Sequence, residues 1–148
     1  MNGLEAFDAR LGTLIGNLSP AARKEMARTI AKRLRAGQQQ NIRRQQAPDG
    51  TPFKPRKATA RNKKGRVKRE MFAKLRTAKY LKAKGTGDEA VVEFAGNVQR
   101  MARVHHYGLR DRAASGGRKV SYSERPLLGF NDNDLEVIKR EMISHLAR

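Results

Sequence analysis

From Pro20 to Lys82 the sequence sets 21 Lys and Arg against three acids, Glu25, Asp49 and Glu70, a net +18 in 63 residues. The flanks nearly cancel, at −1 over residues 1–19 and +2 over residues 83–148, and the whole 148-residue chain carries +19. Unpaired charge is too costly to bury, so this stretch can enter a core only through elements that turn one narrow face inward. Its remaining surface must face water or an anionic partner. Charge serving solubility alone would be spread along the chain.

The apolar spacing shows where such faces exist. Leu4, Phe7, Leu11, Leu14, Ile15 and Leu18 recur every three or four residues, which predicts an amphipathic helix over residues 3–17. Gly12 and Gly16 weaken it by about 1 kcal/mol each, so it needs packing to hold. Ser19-Pro20 supplies a capping side chain and a proline at the first helical position, the start of a long helix expected to reach about Gln46. Ala22, Met26, Ile30 and Leu34, with Ile42 beyond, form its apolar side, and Lys24, Arg28, Lys32 and Arg35 its basic side. Arg23 and Arg33 lie near the stripe and must snorkel, and Gly37 is a place for a bend or break. Ala47-Pro48-Asp49-Gly50-Thr51-Pro52 is turn chemistry.

Residues 54–69 then carry Lys54, Arg56, Lys57, Arg61, Lys63, Lys64, Arg66, Lys68 and Arg69, with Val67 the one large apolar side chain. Such a segment cannot bury itself, which predicts an extended, partner-ordered arm. Met71, Phe72, Leu75, Tyr80 and Leu81 return the chain to the core. Ala90–Phe94 reads as a strand and Gly96-Asn97 as its turn. Val98, Met101, Ala102 and His105 predict a short helix ending at Gly108. Arg110–Lys119 reads as a Gly- and Arg-rich loop and Val120-Ser121-Tyr122 as a second strand. Asn131 caps a last helix with Asp132 and Asp134 in its first turn and Leu135, Ile138, Met142 and Leu146 on its buried face. The expectation is one α+β domain over residues 1–148, with amphipathic helices at both ends, a small β-sheet, and a basic insertion at about 47–70.

Several kinds of chemistry are disfavoured. The chain has no cysteine, which removes disulfides, thiolate metal sites and cysteine nucleophiles. No apolar run nears the roughly 18 residues of a membrane span. The opening Met1-Asn2-Gly3-Leu4-Glu5 is unlike a signal peptide, so the protein is expected to stay in the cell that makes it. His105 and His106 are adjacent on a helix and point about 100° apart, unlike the i, i+4 pairs that chelate one metal, so structural roles are expected. Ser121, His105 and Asp111 can be written as a triad, but no Gly-x-Ser-x-Gly elbow or phosphate loop accompanies them. Gly85-Thr86-Gly87 reads as a turn. The basic stretch fits phosphate contact, docking on acidic protein surfaces or simply a solvated face, and its few aromatics (Phe53, Phe72, Tyr80) do not make a stacking platform.

Four blocks resemble one family in order and spacing. They are Gln45–Pro52 with Pro55-Arg56-Lys57, Met71–Arg76, Arg103-Val104-His105-His106-Tyr107-Gly108 and Arg125–Phe130. Together with Leu18-Ser19-Pro20-Ala21-Ala22-Arg23 they resemble the phage virion-morphogenesis family of contractile-tailed bacteriophages, across nearly the whole chain. The resemblance implies a structural protein without catalytic residues or cofactor, acting late in assembly. It would complete the head-proximal end of the tail, at the neck of the virion, so that the tail joins a DNA-filled head. Implied partners are further copies of the chain, the tail tube or sheath terminator, and the head-connector proteins, with genomic DNA nearby and no membrane. Sixfold tail symmetry makes a hexameric ring the natural assembly, closed through a heterologous interface. The charge map puts the partner-facing residues on the 54–69 segment and on the Lys24, Arg28, Lys32, Arg35 helix face. The alternative is a non-specific nucleic-acid-binding protein that uses residues 20–82 as a clamp.

Overall fold

The computed structural model describes residues 14–56, 70–112 and 116–147. The chain is α+β, as expected, with three α-helices and two two-stranded sheets among the described residues. Helix α1 spans Pro20–Arg43, β1 Leu81–Gly85 and β2 Ala90–Phe94. A short 3-10 turn at Gly96–Val98 leads into α2, Gln99–Tyr107, and β3 (Arg110–Arg112) pairs with β4 (Lys119–Ser121) before α3, Asp132–Leu146. Helical geometry at 14–16 is the described end of the first predicted helix, whose remainder lies outside these residues.

Contacts divide the chain into two interleaved units, one of residues 1–34, 83–92 and 132–148, the other of residues 35–82 and 93–131. In the first, Ser19 caps α1 by accepting the Ala22 N–H at 3.1 Å. Met26, Ile30 and Leu34 then make the buried cluster, with Ile15, Leu18, Ala90, Val92, Ile138 and Met142 packed on it. The predicted stripe is therefore the observed one, and Ala27 and Ala31 widen it. Arg33 keeps its head largely exposed and pairs with Glu141 of α3, as a snorkelling residue should.

The last helix departs from expectation. Ile138 and Met142 do pack inward, but Leu135 is 49% exposed, while Asp134, Glu141 and His145 are buried. Arg33 gives Glu141 a reason to turn inward, and Glu141 in turn lies 3.7 Å from the His145 imidazole. An ion pair has rotated this face away from the purely apolar one that periodicity selects.

The second unit uses polar side chains where the first uses aliphatic ones. The helix ends at Arg43, three residues before the expected Gln46, and runs unbroken through Gly37. It closes with Gln45 at φ 56°, the Gln45 N–H bonding Ile42 O at 2.9 Å and the Gln46 N–H bonding Asn41 O at 3.1 Å. That is a Schellman ending with glutamine where glycine is usual. The turn after it forms as predicted: Asp49 accepts the Thr51 N–H at 2.9 Å, and Ala47 donates to Thr51 O at 2.8 Å. Ile42, Leu75, Leu81, Phe94, Ala102 and Leu127 are among the buried core.

β1 is absent from the sequence expectations, and β3 and the start of β4 occupy part of what reads as a loop. Leu81-Lys82-Ala83-Lys84-Gly85 alternates as a strand does, but lysine, alanine and glycine are poor strand formers. Tertiary packing supplies what propensity lacks. An added Cβ at Gly85 would lie 2.3 Å from the Arg28 backbone nitrogen, so the strand rests directly on the helix backbone. Thr86 closes the hairpin, its N–H bonding Glu89 O at 2.9 Å and its hydroxyl accepting the Asp88 and Glu89 N–H groups. Gly85→Ala should therefore destabilise the fold by about 1–3 kcal/mol, the usual result of overpacking. Gly87→Ala, which meets nothing within 4 Å, should stay within about 0.5 kcal/mol of the parent in the same urea titration.

Candidate functional site

Within the second unit lies an open cleft of about 630 Å³, lined chiefly by residues 70–75, residues 120–123 and Arg125. Its floor is apolar, with Met71, Phe72, Leu75, Met101 and Tyr122, and its charged rim is Arg56, Lys74 and Arg125 against Glu70. Glutamines fix the first of these segments. Gln45 gives both ends of its amide to Met71, donating to the carbonyl and accepting the N–H, each at 2.9 Å. Gln39 donates to Arg76 O at 2.8 Å. Gln38 makes the same two-ended contact with Gly129, at 2.9 and 3.3 Å, just beyond Arg125 in sequence.

Arg125 fixes the rim. It is buried, donating from Nε to Lys54 O at 2.8 Å and from its guanidinium to Pro55 O at 3.2 Å. Those partners are neutral carbonyls, so its positive charge is hydrogen-bonded by them without being cancelled. Burial, and then the neighbouring Arg56 charge, lower its pKa. The Arg56 and Arg125 guanidinium charges therefore repel each other beside the cleft.

The sequence-predicted basic residues fall in different places. Lys24, Arg28 and Lys32 are exposed on α1, as expected, whereas Arg35 is half-buried. Lys54 and Arg56 are exposed at the rim side of the cleft. Lys57, Arg61, Lys63, Lys64, Arg66, Lys68 and Arg69, with the arm they define, lie outside the described residues. Lys24, Arg28 and Lys32 belong to the first unit, and Arg35, Lys54 and Arg56 to the second. Sequence reasoning missed Arg125 and the glutamines. Runs such as Gln38-Gln39-Gln40 carry no periodic signal, and a buried arginine is indistinguishable in sequence from an exposed one.

Adjacent histidines do point apart. The His105 ring sits edge-on between Phe72, at 5.1 Å, and Tyr122, at 4.8 Å between centroids. His106 turns the other way, its Nδ1 accepting the N–H of fully buried Leu127 at 3.1 Å. Burial lowers the pKa of both; Arg125 lowers His105 further, while Glu124 partly opposes the shift at His106. The helix bearing them ends at Gly108, where φ is +66° and a Cβ would meet the Glu124 nitrogen at 2.7 Å, so only glycine fits both demands. Asp111 is held by Arg100 through two hydrogen bonds of 2.8 and 3.2 Å. It is therefore tied to a surface arginine, and its place beside Ser121 and His105 in sequence does not translate into a triad contact.

These histidines set a pH dependence whose sign follows from their depressed pKa. The folded state keeps them neutral, whereas the unfolded imidazole takes a proton near its usual value of 6.5. Stability should be fully present above about pH 6.5 and fall as pH drops from there through the lower folded values. His105→Phe keeps the ring packing and removes one titrating group. Urea unfolding between pH 8 and pH 5 should give that variant a shallower loss on acidification than the parent, and equal losses would contradict this account.

Residues 3–147 match the phage virion morphogenesis family. The chain is 43% identical over 150 residues to the tail completion protein S of Escherichia phage P2, and the match covers all of both chains. No solved structure matches it.

Proposed function

The chain belongs to the phage virion morphogenesis family, and on that premise we propose that it is a structural protein that completes the phage tail during virion assembly. The observation that carries this reading is the end-to-end similarity to a protein named for tail completion, with neither chain left unmatched. A shared fragment would support less.

The finer reading is that it acts at the head-proximal end of the tail, in the neck, and makes that end competent to join a DNA-filled head. Its neighbours there would be the tube or sheath terminator, the head-connector proteins and other copies of itself. A sixfold ring suits the symmetry of a tail and requires a heterologous contact between neighbouring subunits. The charges support binding to something anionic in such a place: Lys24, Arg28 and Lys32 are exposed on α1, and seven of the 13 residues between Arg56 and Glu70 are Lys or Arg, with no acid among them. Both histidines of the only adjacent pair are committed to packing or to a backbone contact, which suits a structural role.

Infection without this protein should yield filled heads and full-length tails that do not join, as seen by electron microscopy of the lysate. Normal virions, or a lysate without tail tubes, would contradict the proposal. A variant with Lys63, Lys64, Lys68 and Arg69 all changed to Gln should fold normally yet rescue joining poorly. Full rescue would mean that this charge is only a solvated surface, and rescue lost together with duplex-DNA binding would favour the nucleic-acid clamp.

A further inference from the structure

The β3–β4 hairpin has two outer edges, and they are treated differently. Its register pairs Arg110 with Ser121, Asp111 with Val120, and Arg112 with Lys119. The Tyr122 N–H bonds Leu109 O at 3.1 Å, which makes that pair hydrogen-bonded and, two residues on, Asp111 with Val120 likewise. The intervening residues direct their backbone groups outward: Arg110 and Arg112 on the β3 side, Lys119 and Ser121 on the β4 side. On the β3 side the Asp111 carboxylate accepts the Arg112 N–H at 2.8 Å, and Arg100 pins that carboxylate in place. One outward N–H of that edge is thereby covered. Among the described residues no backbone hydrogen bond covers the outward groups of Lys119 and Ser121. All three residues of β4 are exposed, and Val120 and Ser121 border the cleft.

We propose that the open edge of β4 and the cleft beside it receive an extended, acidic segment of a partner protein, which adds to the hairpin as a third strand. Strand addition of this kind draws affinity from the edge backbone and selectivity from pockets that take alternate side chains. Both parts are present here. The outward N–H and C=O groups of Lys119 and Ser121 supply the backbone ladder. The floor formed by Met71, Phe72, Leu75 and Tyr122 takes an apolar side chain, in a volume within the usual range of about 300–1,000 Å³ for binding clefts. Charge decides what flanks that side chain. Arg56, Lys74 and Arg125 rim the cleft, Arg118 and Lys119 lie on the strand or next to it, and Glu70 is already 3.8 Å from Arg76. Carboxylates on the incoming strand answer this field, and lysines would be repelled.

Other occupants fit less well. Residues 57–69 of this chain, which lie in sequence between the cleft-lining Arg56 and Glu70, carry seven basic residues and no acid, the wrong sign for the rim. Nucleic acid would satisfy the charge and leave the apolar floor unfilled. The aromatic rings are engaged edge-to-face with one another through His105, so they do not offer a free stacking surface. A protein strand uses edge, floor and rim together.

The proposal rests on the partner-bound structural role above, but its test needs no phage, so the two can fail separately. Isotope-labelled full-length protein is titrated with the capped peptide Glu-Val-Glu-Leu-Glu-Val and followed by amide NMR. The expected result is that the Lys119 and Ser121 amides shift, while that of Val120, already bonded within the hairpin, moves much less. The peptide with lysine in place of each glutamate should bind at least about tenfold more weakly, and added salt should weaken the acidic peptide. Ser121→Pro removes an outward N–H and no hairpin bond, so it should preserve the Val120 amide position and weaken binding about three- to tenfold. The proposal is overturned if the acidic and lysine peptides bind alike, if the shifts avoid β4, or if Ser121→Pro binds normally. It is overturned equally if a short DNA duplex shifts the same amides more strongly, or if the free protein already covers them by self-association.

Discussion

Helix α1 has to bury one side while crossing the most positively charged part of the chain, and the rest of the structure depends on how narrow that side is. Its N-terminal half solves the problem with Met26, Ile30 and Leu34, spaced so that Lys24, Arg28 and Lys32 remain in water. Its C-terminal half has few aliphatic residues left and turns to neutral amides. Gln38, Asn41 and Ile42 are buried there, and Gln38, Gln39 and Gln45 bond to the backbone of loops 26 to 91 residues away in sequence. A paired amide contributes roughly 1 kcal/mol per hydrogen bond, and it avoids the larger penalty of a buried charge. A chain that is 38% apolar and 32% charged can be held together in this way.

The same economy shapes the cleft. Its walls are loops positioned by hydrogen bonds, with Gln45 on Met71 and Arg125 on Lys54 and Pro55, so a concave apolar surface persists without a large core behind it. Arg125 serves two ends at once. It satisfies two carbonyls, and because they are neutral it leaves a positive rim next to Arg56. Structural need and the proposed preference for acidic partners thus meet in one side chain. In a protein of a virion-morphogenesis family that combination suits a part made to be completed by its neighbours.

How much of this was legible in the sequence depended on the kind of force involved. Periodic burial could be read: the α1 stripe, its Ser19 cap, strand Ala90–Phe94, and the helix ending at Gly108 all follow from spacing and cap chemistry. The turn at 47–52 was legible because Asp49 and Gly50 have few other uses. Elements made by tertiary contact were not. β1 consists of poor strand formers resting on the backbone of α1, and β3 contains no apolar residue at all. The face of α3 was misread at Leu135 because an Arg33–Glu141 pair outweighed an aliphatic position. Of the basic residues singled out, their exposure on α1 was predictable from helical geometry, with Arg35 the exception. The cleft was invisible, since Arg125 and the glutamines act through partners far away in sequence.

We propose that this chain occupies the head-proximal end of a completed tail. Cryo-electron microscopy of purified virions tests it most directly, with a short epitope tag on the protein and Fab decoration to mark it. Density for the protein, and Fab label, should be confined to the neck between portal and tail tube in every joined particle. Label along the sheath, at the baseplate, or absent from joined particles would contradict it.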